Sequence, residues 1–241
     1  MDTFKYKENK LHCEDVNLSE IASSFGTPAY VYSKKALTEN ALMYVNSFTN
    51  PDNMACFSVK SLSNLSVLKL LKEVGCGFDV VSGGEMHRAL SIGADPKSII
   101  FSGVGKSSDE IKQGILNKIL SFNVESVSEL YKIEAIAKKL QMNASVSIRF
   151  NPDIDSGGHD YITTGRKGDK FGISSIEDIL NLSTYISESP NLNTVGLACH
   201  IGSQIINLES YKETAQRTFE LADQISSLGV ELEFLDLGGE I

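Results

Sequence analysis

The sequence has few cysteines, little positive charge and no long apolar segment, and each shortage excludes a class of protein. Its four cysteines, in 241 residues, include no two with the spacing of a metal-binding or redox pair. Lysine and arginine number 22 against 31 aspartates and glutamates, which gives a formal net charge of −9. Without a basic tract, nucleic acid and anionic membrane surfaces are not expected partners. No segment is long and apolar enough to span a bilayer.

The amino terminus and the cysteines together predict a cytoplasmic protein. Residues 1–10 are polar and charged, so they lack the apolar centre of a signal peptide. Three of the cysteines lie in apolar segments, where we expect small buried side chains in a reducing compartment. The length is sufficient for one large domain with a substantial core.

From Pro28 onward, short apolar runs alternate with amphipathic helical patterns. After a predicted strand at 29–32 and a predicted helix at about 34–47, seven further runs predict strands. They are residues 56–59, 78–81, 98–101, 119–124, 144–150, 194–199 and 233–237. Helical patterns separate nearly all of them, including 126–140 and 209–228.

Alternating strands and helices predict an α/β fold with parallel strands joined by right-handed crossovers. Seven core strands indicate a (β/α)8 TIM-like barrel that ends before its last strand, and a doubly wound open sheet is the alternative. The barrel is favoured because informative residues follow many strands and not one switch point. We expect residues 28–241 to form this incomplete barrel domain, with residues 1–27 as an N-terminal extension.

Lys60 is the most informative residue, because it ends the apolar run at 54–59. A lone ammonium at the end of a buried strand is costly unless it has a function. The carboxyl ends of barrel strands are also where active-site residues lie. The alternative is a lysine whose side chain simply extends from the core to water.

Glycines and charged residues follow several other predicted strands. Asp79 is followed by the turn sequence 82–85, where Glu85 could merely favour a helix amino terminus. The glycine-rich sequence 102–106 matches neither common nucleotide-binding motif. Arg149 precedes the proline that stops its strand, and it could hold an anion or pair with a structural carboxylate.

His200 opens the sequence His-Ile-Gly-Ser-Gln at the end of the sixth core strand. An imidazole can stack on a flat ring, transfer a proton or bind a metal, and it can also be a satisfied core residue. The histidines have no metal-binding spacing, so no metal is expected. Gly238 and Gly239 follow the seventh strand, where the backbone N–H groups of a barrel commonly bind phosphate.

A lysine, an arginine, a histidine and a glycine-lined anion site suit a phosphorylated aromatic aldehyde. The lysine would form a Schiff base, the imidazole would stack on the ring, and backbone amides would bind the phosphate. The strand ends therefore predict a site for pyridoxal 5'-phosphate.

The sequence resembles the diaminopimelate decarboxylases, which belong to the alanine-racemase-like class of pyridoxal phosphate enzymes. The resemblance is carried, in the family's order, by residues 27–32, 57–60, 79–85, 101–106, 123–126, 149–153, 170–173, 199–204 and 236–239. Residues 159–172 resemble the diaminopimelate branch more than the ornithine branch, although this stretch could also be a solvated loop.

The resemblance implies roles for individual residues. Lys60 would carry the cofactor, His200 would stack on its pyridine ring, and Arg149 would lie near its phenolic oxygen. The other implied site residues would serve the phosphate (Ser203, Gly238 and Gly239) or line the site near Lys60 (Asp79 and Glu85).

The family removes the carboxylate at the D-centre of meso-diaminopimelate to give L-lysine and carbon dioxide. The resemblance therefore implies a carboxy-lyase of lysine biosynthesis that acts on a small amino acid and forms a homodimer. One alternative is a related ornithine- or arginine-type decarboxylase. Others are a pyridoxal phosphate-binding protein without turnover and a structural or interaction remnant.

Two residues and the carboxyl terminus depart from the family pattern. Leu62 stands where the family commonly has asparagine, and Glu240 stands where it has a third glycine. Whole members continue with the last barrel strand and a β-domain, which supplies a catalytic cysteine. We therefore expect a fragment of a longer enzyme or a degraded copy, which alone is inactive, unstable or prone to aggregate.

Overall fold

The computed structural model describes residues 3–154, 171–203, 205 and 208–238. It begins with a small antiparallel sheet of β1 (Phe4–Lys7), β2 (Lys10–Cys13) and β3 (Val16–Asn17), followed by helix α1 (Leu18–Phe25). Helix α2 (Lys34–Val45) comes next. Glu14 connects the two regions, because its Oε1 accepts hydrogen bonds from the Ser33 hydroxyl at 2.8 Å and from the Lys35 amide at 2.9 Å.

Seven parallel strands form the main sheet, and they are hydrogen-bonded strictly in chain order. They are β4 (Cys56–Ser58), β5 (Gly77–Val80), β6 (Ile99–Phe101), β7 (Ser121–Val124), β8 (Ala144–Arg149), β9 (Leu192–His200) and β10 (Phe234–Gly238). Among the described residues, one α-helix lies between each pair of successive strands: α3 (Leu65–Glu73), α4 (Gly83–Ser91), α5 (Ser108–Asn117), α6 (Val127–Leu140), α7 (Ile176–Glu188) and α8 (Leu208–Ser227).

This order confirms the predicted barrel and excludes the doubly wound sheet, whose strand order reverses at a switch point. Strands β4 and β10 are the two edges of the sheet. The described strands therefore form a TIM-like barrel that is open between its first and last strands. Among the helices of the described residues, none has the length and apolarity needed to cross a membrane.

The core lies between the sheet and its helices. Phe78, Phe101 and Phe122 on three adjacent strands are almost fully buried, and the rings of Phe101 and Phe122 stack with centroids 6.0 Å apart. Ile111 on α5 and Ile133 on α6 cover them from outside. Parallel strands that are covered in this way appear in sequence as continuous apolar runs, which is why the sequence pattern located them within two or three residues.

Serine caps position the helices against the strand ends. Ser82, Ser107 and Ser126 each accept a hydrogen bond from the backbone N–H of a glutamate three residues later. At Ser107 the capping box is complete, because Glu110 also accepts from the Ser107 amide. These caps fix the first turns of α4, α5 and α6 next to the carboxyl ends of the strands.

The strand predicted at 29–32 is wrong. Residues 29–33 form an irregular connection between α1 and α2, and the Tyr30 side chain is 90% exposed. A strand is stable only when its backbone groups pair with a neighbour, and no strand in the described part of the chain pairs with this segment.

Candidate active site

The carboxyl end of the main sheet holds the predicted site residues that the structure describes. Asp79 lies in β5, and Arg149, His200 and Gly238 are the last residues of β8, β9 and β10. The others come just beyond a strand: Lys60 in a short 3₁₀ turn (Val59–Ser61) after β4, Glu85 in the first turn of α4, and Ser203 after β9. Gly239 lies outside the described residues, as do residues 159–170 of the branch-specific stretch.

The charge of Lys60, in the turn after β4, acts on Asp79 in the adjacent strand β5. Burial raises the pKa of Asp79 to about 6, while hydrogen bonds from Ser102 and Ser58 and the positive charge of Lys60 act in the opposite direction. The Lys60 side chain is exposed. The turn after β4 therefore presents an exposed lysine whose charge acts on a buried carboxyl group with a raised pKa.

His200 and Gly238 face each other across the last two strands, where they are register partners. A Cβ atom at position 238 would lie 2.8 Å from the Cys199 carbonyl oxygen and 3.3 Å from His200 Nδ1. Only glycine therefore fits beside the imidazole without a backbone shift. The Gly238 N–H donates to Asp236 Oδ1 at 3.1 Å. This hydrogen bond holds the backbone at the end of β10.

Arg149 pairs with a buried carboxylate that the sequence analysis did not select. Its Nη1 donates to Glu125 Oε1 at 2.7 Å, and both side chains are at most 10% exposed. The Phe171 ring centroid lies 5.0 Å from the guanidinium carbon. Pairing with a structural carboxylate, one of the two alternatives for Arg149, is thus observed. A guanidinium has five N–H donors, so this pair still permits an additional acceptor.

Glu85 has a local structural contact. Its Oε2 accepts from the Val81 amide at 2.9 Å, across the turn that ends β5. This is the simpler of the two explanations given for its position in the sequence. A carboxylate in the first turn of α4 also interacts favourably with the helix dipole.

The glycine-rich sequence 102–106 is stabilised by its own lysine. Lys106 is buried and donates to the carbonyl oxygens of Gly103 at 2.7 Å and Asn123 at 2.8 Å, and to Glu129 Oε1 at 2.8 Å. All three protons of the ammonium therefore have acceptors. Lys106 connects the loops after β6 and β7, and it does not point to a phosphate.

A belt of polar side chains crosses the interior of the barrel below these residues, and the sequence analysis did not identify it. The belt consists of Ser58, Asp79, Ser102, Asn123, Ser147 and Asp236, which are joined by hydrogen bonds across β4 to β8 and β10. Its signal in the sequence is a period of two: Asn123 and Ser147 alternate with apolar residues in strands that are otherwise buried.

The described residues contain no group of three or more His, Cys, Asp or Glu that could hold a metal ion. The four cysteines are free thiols. Burial raises the pKa of the Cys199 thiol to about 12, which makes it a poor nucleophile. The chemistry of this end of the barrel therefore depends on its amine, its carboxyl groups, its imidazole and its guanidinium.

This donor set fits pyridoxal phosphate. Lys60 offers an exposed lysine side chain for a Schiff base. The Gly238 backbone packs so closely against the Cys199 carbonyl and the His200 imidazole that only glycine fits there. Arg149 and Ser203 add polar side chains at neighbouring strand ends. An open parallel barrel with these groups at its carboxyl end defines a cofactor-binding barrel of the pyridoxal phosphate type.

A family model described as "Pyridoxal-dependent decarboxylase, pyridoxal binding domain" matches residues 34–240. The chain therefore belongs to the pyridoxal-dependent decarboxylases, and it contains their pyridoxal-binding domain.

Curated relatives and a solved structure agree with this family. The chain is 42% identical to a diaminopimelate decarboxylase of Haemophilus influenzae over 239 residues. The matched region is 99% of this chain and 57% of that protein. The chain is 44% identical over 231 residues to one of Neisseria meningitidis, which covers 96% and 57%. The crystal structure of diaminopimelate decarboxylase from Helicobacter pylori complexed with L-lysine has a TM-score of 0.89 at 41% identity, covering 93% of this chain and 57% of that one. The chain thus spans 57% of the length of these relatives.

Proposed function

We propose that this chain is the cofactor-binding part of a diaminopimelate decarboxylase, which converts meso-diaminopimelate to L-lysine and carbon dioxide. The observation that carries the proposal is the exposed Lys60 in the turn after the first barrel strand of a pyridoxal-binding domain, where its charge acts on the buried Asp79 carboxyl. Support for the substrate comes from curated relatives at about 40% identity with this name, and from a similar structure that holds L-lysine.

The site has two halves in this proposal, one around Lys60 and one around His200, and each has a distinct role. Lys60 would hold the cofactor through its Nζ, and Asp79, a buried carboxyl whose pKa is raised to about 6 and which feels the charge of that amine, would hold or release a proton. When bound, pyridoxal phosphate supplies an electron-withdrawing ring that stabilises the carbanion left by loss of carbon dioxide. We also assign Glu85, whose Oε2 accepts from the Val81 amide, to the lining of the site near Lys60.

The half around His200 would orient the ring and the phosphate of the cofactor. The imidazole of His200 would stack on the ring, and Arg149, whose guanidinium Glu125 holds in place, would present a hydrogen-bond donor. The remaining residues that we assign to the phosphate are Ser203, Gly238 and Gly239.

We also propose how this chain is organised in the whole protein. Residues 28–241 constitute the barrel unit and residues 1–27 the extension before it. We infer that the whole protein is a cytoplasmic homodimer of lysine biosynthesis. Because this chain spans 57% of its relatives' length, activity is expected of the longer polypeptide.

The test measures both the covalent bond and the reaction in the longest natural polypeptide that contains this sequence. Borohydride reduction with pyridoxal phosphate, followed by peptide mass analysis, should place the label on Lys60. Carbon dioxide release should be greatest with meso-diaminopimelate when L-ornithine, L-arginine and L-lysine are compared under the same conditions.

Two variants make this test specific. Lys60→Ala should lose both the label and the carbon dioxide release, whereas Lys69→Ala, an exposed lysine on the following helix, should keep both. A label on another lysine would refute the assignment of Lys60. Faster release from L-ornithine or L-arginine would refute the proposed substrate.

A further inference from the structure

Asn123 on β7 lies at the centre of the interior belt and bonds to side chains of β8 and β10 and to Ser102, just after β6. Its side chain is buried, with the residue 3% exposed. Its Nδ2 donates to Ser102 Oγ at 3.1 Å and to Asp236 Oδ2 at 3.3 Å, and its Oδ1 accepts from the Ser147 hydroxyl. All of its hydrogen-bonding groups are thus used inside the sheet.

Each arm of this amide leads to one half of the candidate active site. On one side, Ser102 Oγ donates to Asp79 Oδ1 at 2.5 Å, and Asp79 lies in the field of Lys60. On the other side, Asp236 accepts from the Gly238 N–H at 3.1 Å. Gly238 in turn lies beside His200. The two halves are therefore joined through a single side chain.

The direction of the hydrogen bonds makes an amide necessary at this position. The two protons of Nδ2 go to Ser102 and Asp236, which leaves the Ser102 proton for Asp79. If the amide were turned over, its oxygen would face the Asp236 carboxylate, and two acceptors would oppose each other. Only asparagine and glutamine carry two donors on one atom and an acceptor beside it.

Several titratable groups surround the belt. The charge of Lys60 acts on Asp79, and that of Arg149 acts on Asp236 from β8. Burial raises the pKa of Asp236, and the hydrogen bond from Asn123 is the largest effect that opposes this shift. The Cys56 thiol lies near both carboxyl groups, and its pKa is raised by burial and then by their charges. Asn123 is thus the uncharged link between two carboxyl groups inside this set.

We infer that Asn123 is a positioning residue, whose amide holds Asp79 in place through Ser102 and holds Asp236 directly where it accepts from the Gly238 N–H. It thereby sets the relative placement of the two halves that would contact pyridoxal phosphate. This inference rests on the proposed function, because its effect is expressed through cofactor binding at Lys60.

The test compares Asn123→Ala, Asn123→Asp and Ser121→Ala in the longest natural polypeptide that contains this sequence. Ser121 is fully buried two residues earlier on β7, and its hydroxyl bonds to Ser147 and to the main chain, so it is a matched interior control. The readouts are the affinity for pyridoxal phosphate, measured by the absorbance of the Schiff base, and borohydride labelling of Lys60. Thermal unfolding identifies any variant that does not fold.

Asn123→Ala should bind pyridoxal phosphate about tenfold more weakly, because two buried acceptors lose their donor, while Ser121→Ala should stay within about twofold of the parent. Asn123→Asp should be weakest at neutral pH. Relative to the parent at each pH, the cofactor affinity of this variant should recover as the pH is lowered, because the new carboxyl gains a proton and can donate again. Asn123→Ala should show no such recovery.

The outcomes separate this inference from the proposed function. If the parent chain gains no label on Lys60, the proposed function fails first. If the parent is labelled and folded Asn123 variants bind the cofactor as Ser121→Ala does, the positioning role is refuted. Equal pH profiles for Asn123→Asp and Asn123→Ala would also overturn it.

Discussion

The Glu125 carboxylate accepts a hydrogen bond from the Arg149 guanidinium at 2.7 Å inside the barrel, at the carboxyl end of two adjacent strands. The same carboxylate accepts from the Gly103 N–H at 3.0 Å and from the Gly172 N–H at 3.1 Å. One side chain therefore holds three chain segments around Arg149, and its charge is compensated by one cation and two amides.

Loss of this carboxylate should be costly. Glu125→Ala removes the partner of a buried guanidinium and leaves two amides without their acceptor, so we expect a loss of about 3–5 kcal/mol in the free energy of unfolding. Urea unfolding followed by circular dichroism measures it. The matched control is Glu213→Ala, which breaks an exposed pair with Arg217 and should cost less than about 1 kcal/mol. Equal losses would show that Glu125 has no special role.

Lys106 should be needed for stability and not for binding an anion. Lys106→Met keeps most of the apolar stem but leaves three acceptors near Gly103, Asn123 and Glu129 without their donor, so the loss should exceed about 2 kcal/mol. Lys112→Met on the exposed surface of α5 should change stability by less than about 0.5 kcal/mol. Urea unfolding of both variants, with and without inorganic phosphate, measures the effect. Stabilisation of the parent, but not of Lys106→Met, by phosphate would contradict this assignment.

Asp79 should make the stability depend on pH. Burial raises its pKa in the folded chain to about 6 from an ordinary value of 3.8, so folding favours its protonated form. Its contribution is fully present below about pH 4 and is lost as the pH rises through 6. The difference corresponds to roughly 3 kcal/mol.

Asp79→Asn should remove this contribution to the pH dependence. In a series of urea unfolding curves between pH 4 and 7, the parent should lose more stability with rising pH than the variant does. Asp178→Asn, at the exposed start of α7, is a suitable control and should keep the slope of the parent. Parallel curves for the parent and Asp79→Asn would show that the carboxyl is ionised throughout this range.

The sequence was sufficient to predict the barrel because the strands are covered on their helix side and appear as apolar runs. It also located Lys60, Arg149 and His200 at or just after strand ends, since each interrupts an apolar run there; their roles stay a prediction. Glu125 was not recognised as part of the site. Its partners lie 22, 24 and 47 residues away in the chain, and such contacts exist only after the strands are aligned.

The segment at 29–32 shows the opposite error. Its aromatic and β-branched residues have high strand propensity, but a strand also needs a neighbour, and Tyr30 is left 90% exposed. Local propensity therefore predicted an element that depends on pairing. The turn at Lys60 is a smaller case: the apolar run continues through Val59, while the backbone has already left the sheet for a 3₁₀ turn.

Gly238→Ala should disturb the site more than it disturbs the sheet. The added Cβ would lie 2.8 Å from the Cys199 carbonyl oxygen, so the backbone at the end of β10 must move away from His200. We expect a loss of about 1–3 kcal/mol in unfolding free energy and weaker binding of pyridoxal phosphate. Gly105→Ala is the control, because an added Cβ there meets no atom within 4 Å and should leave stability unchanged or raise it by up to about 1 kcal/mol. If both variants bound the cofactor equally well in absorbance titrations, the absence of a side chain at position 238 would not be required for cofactor binding.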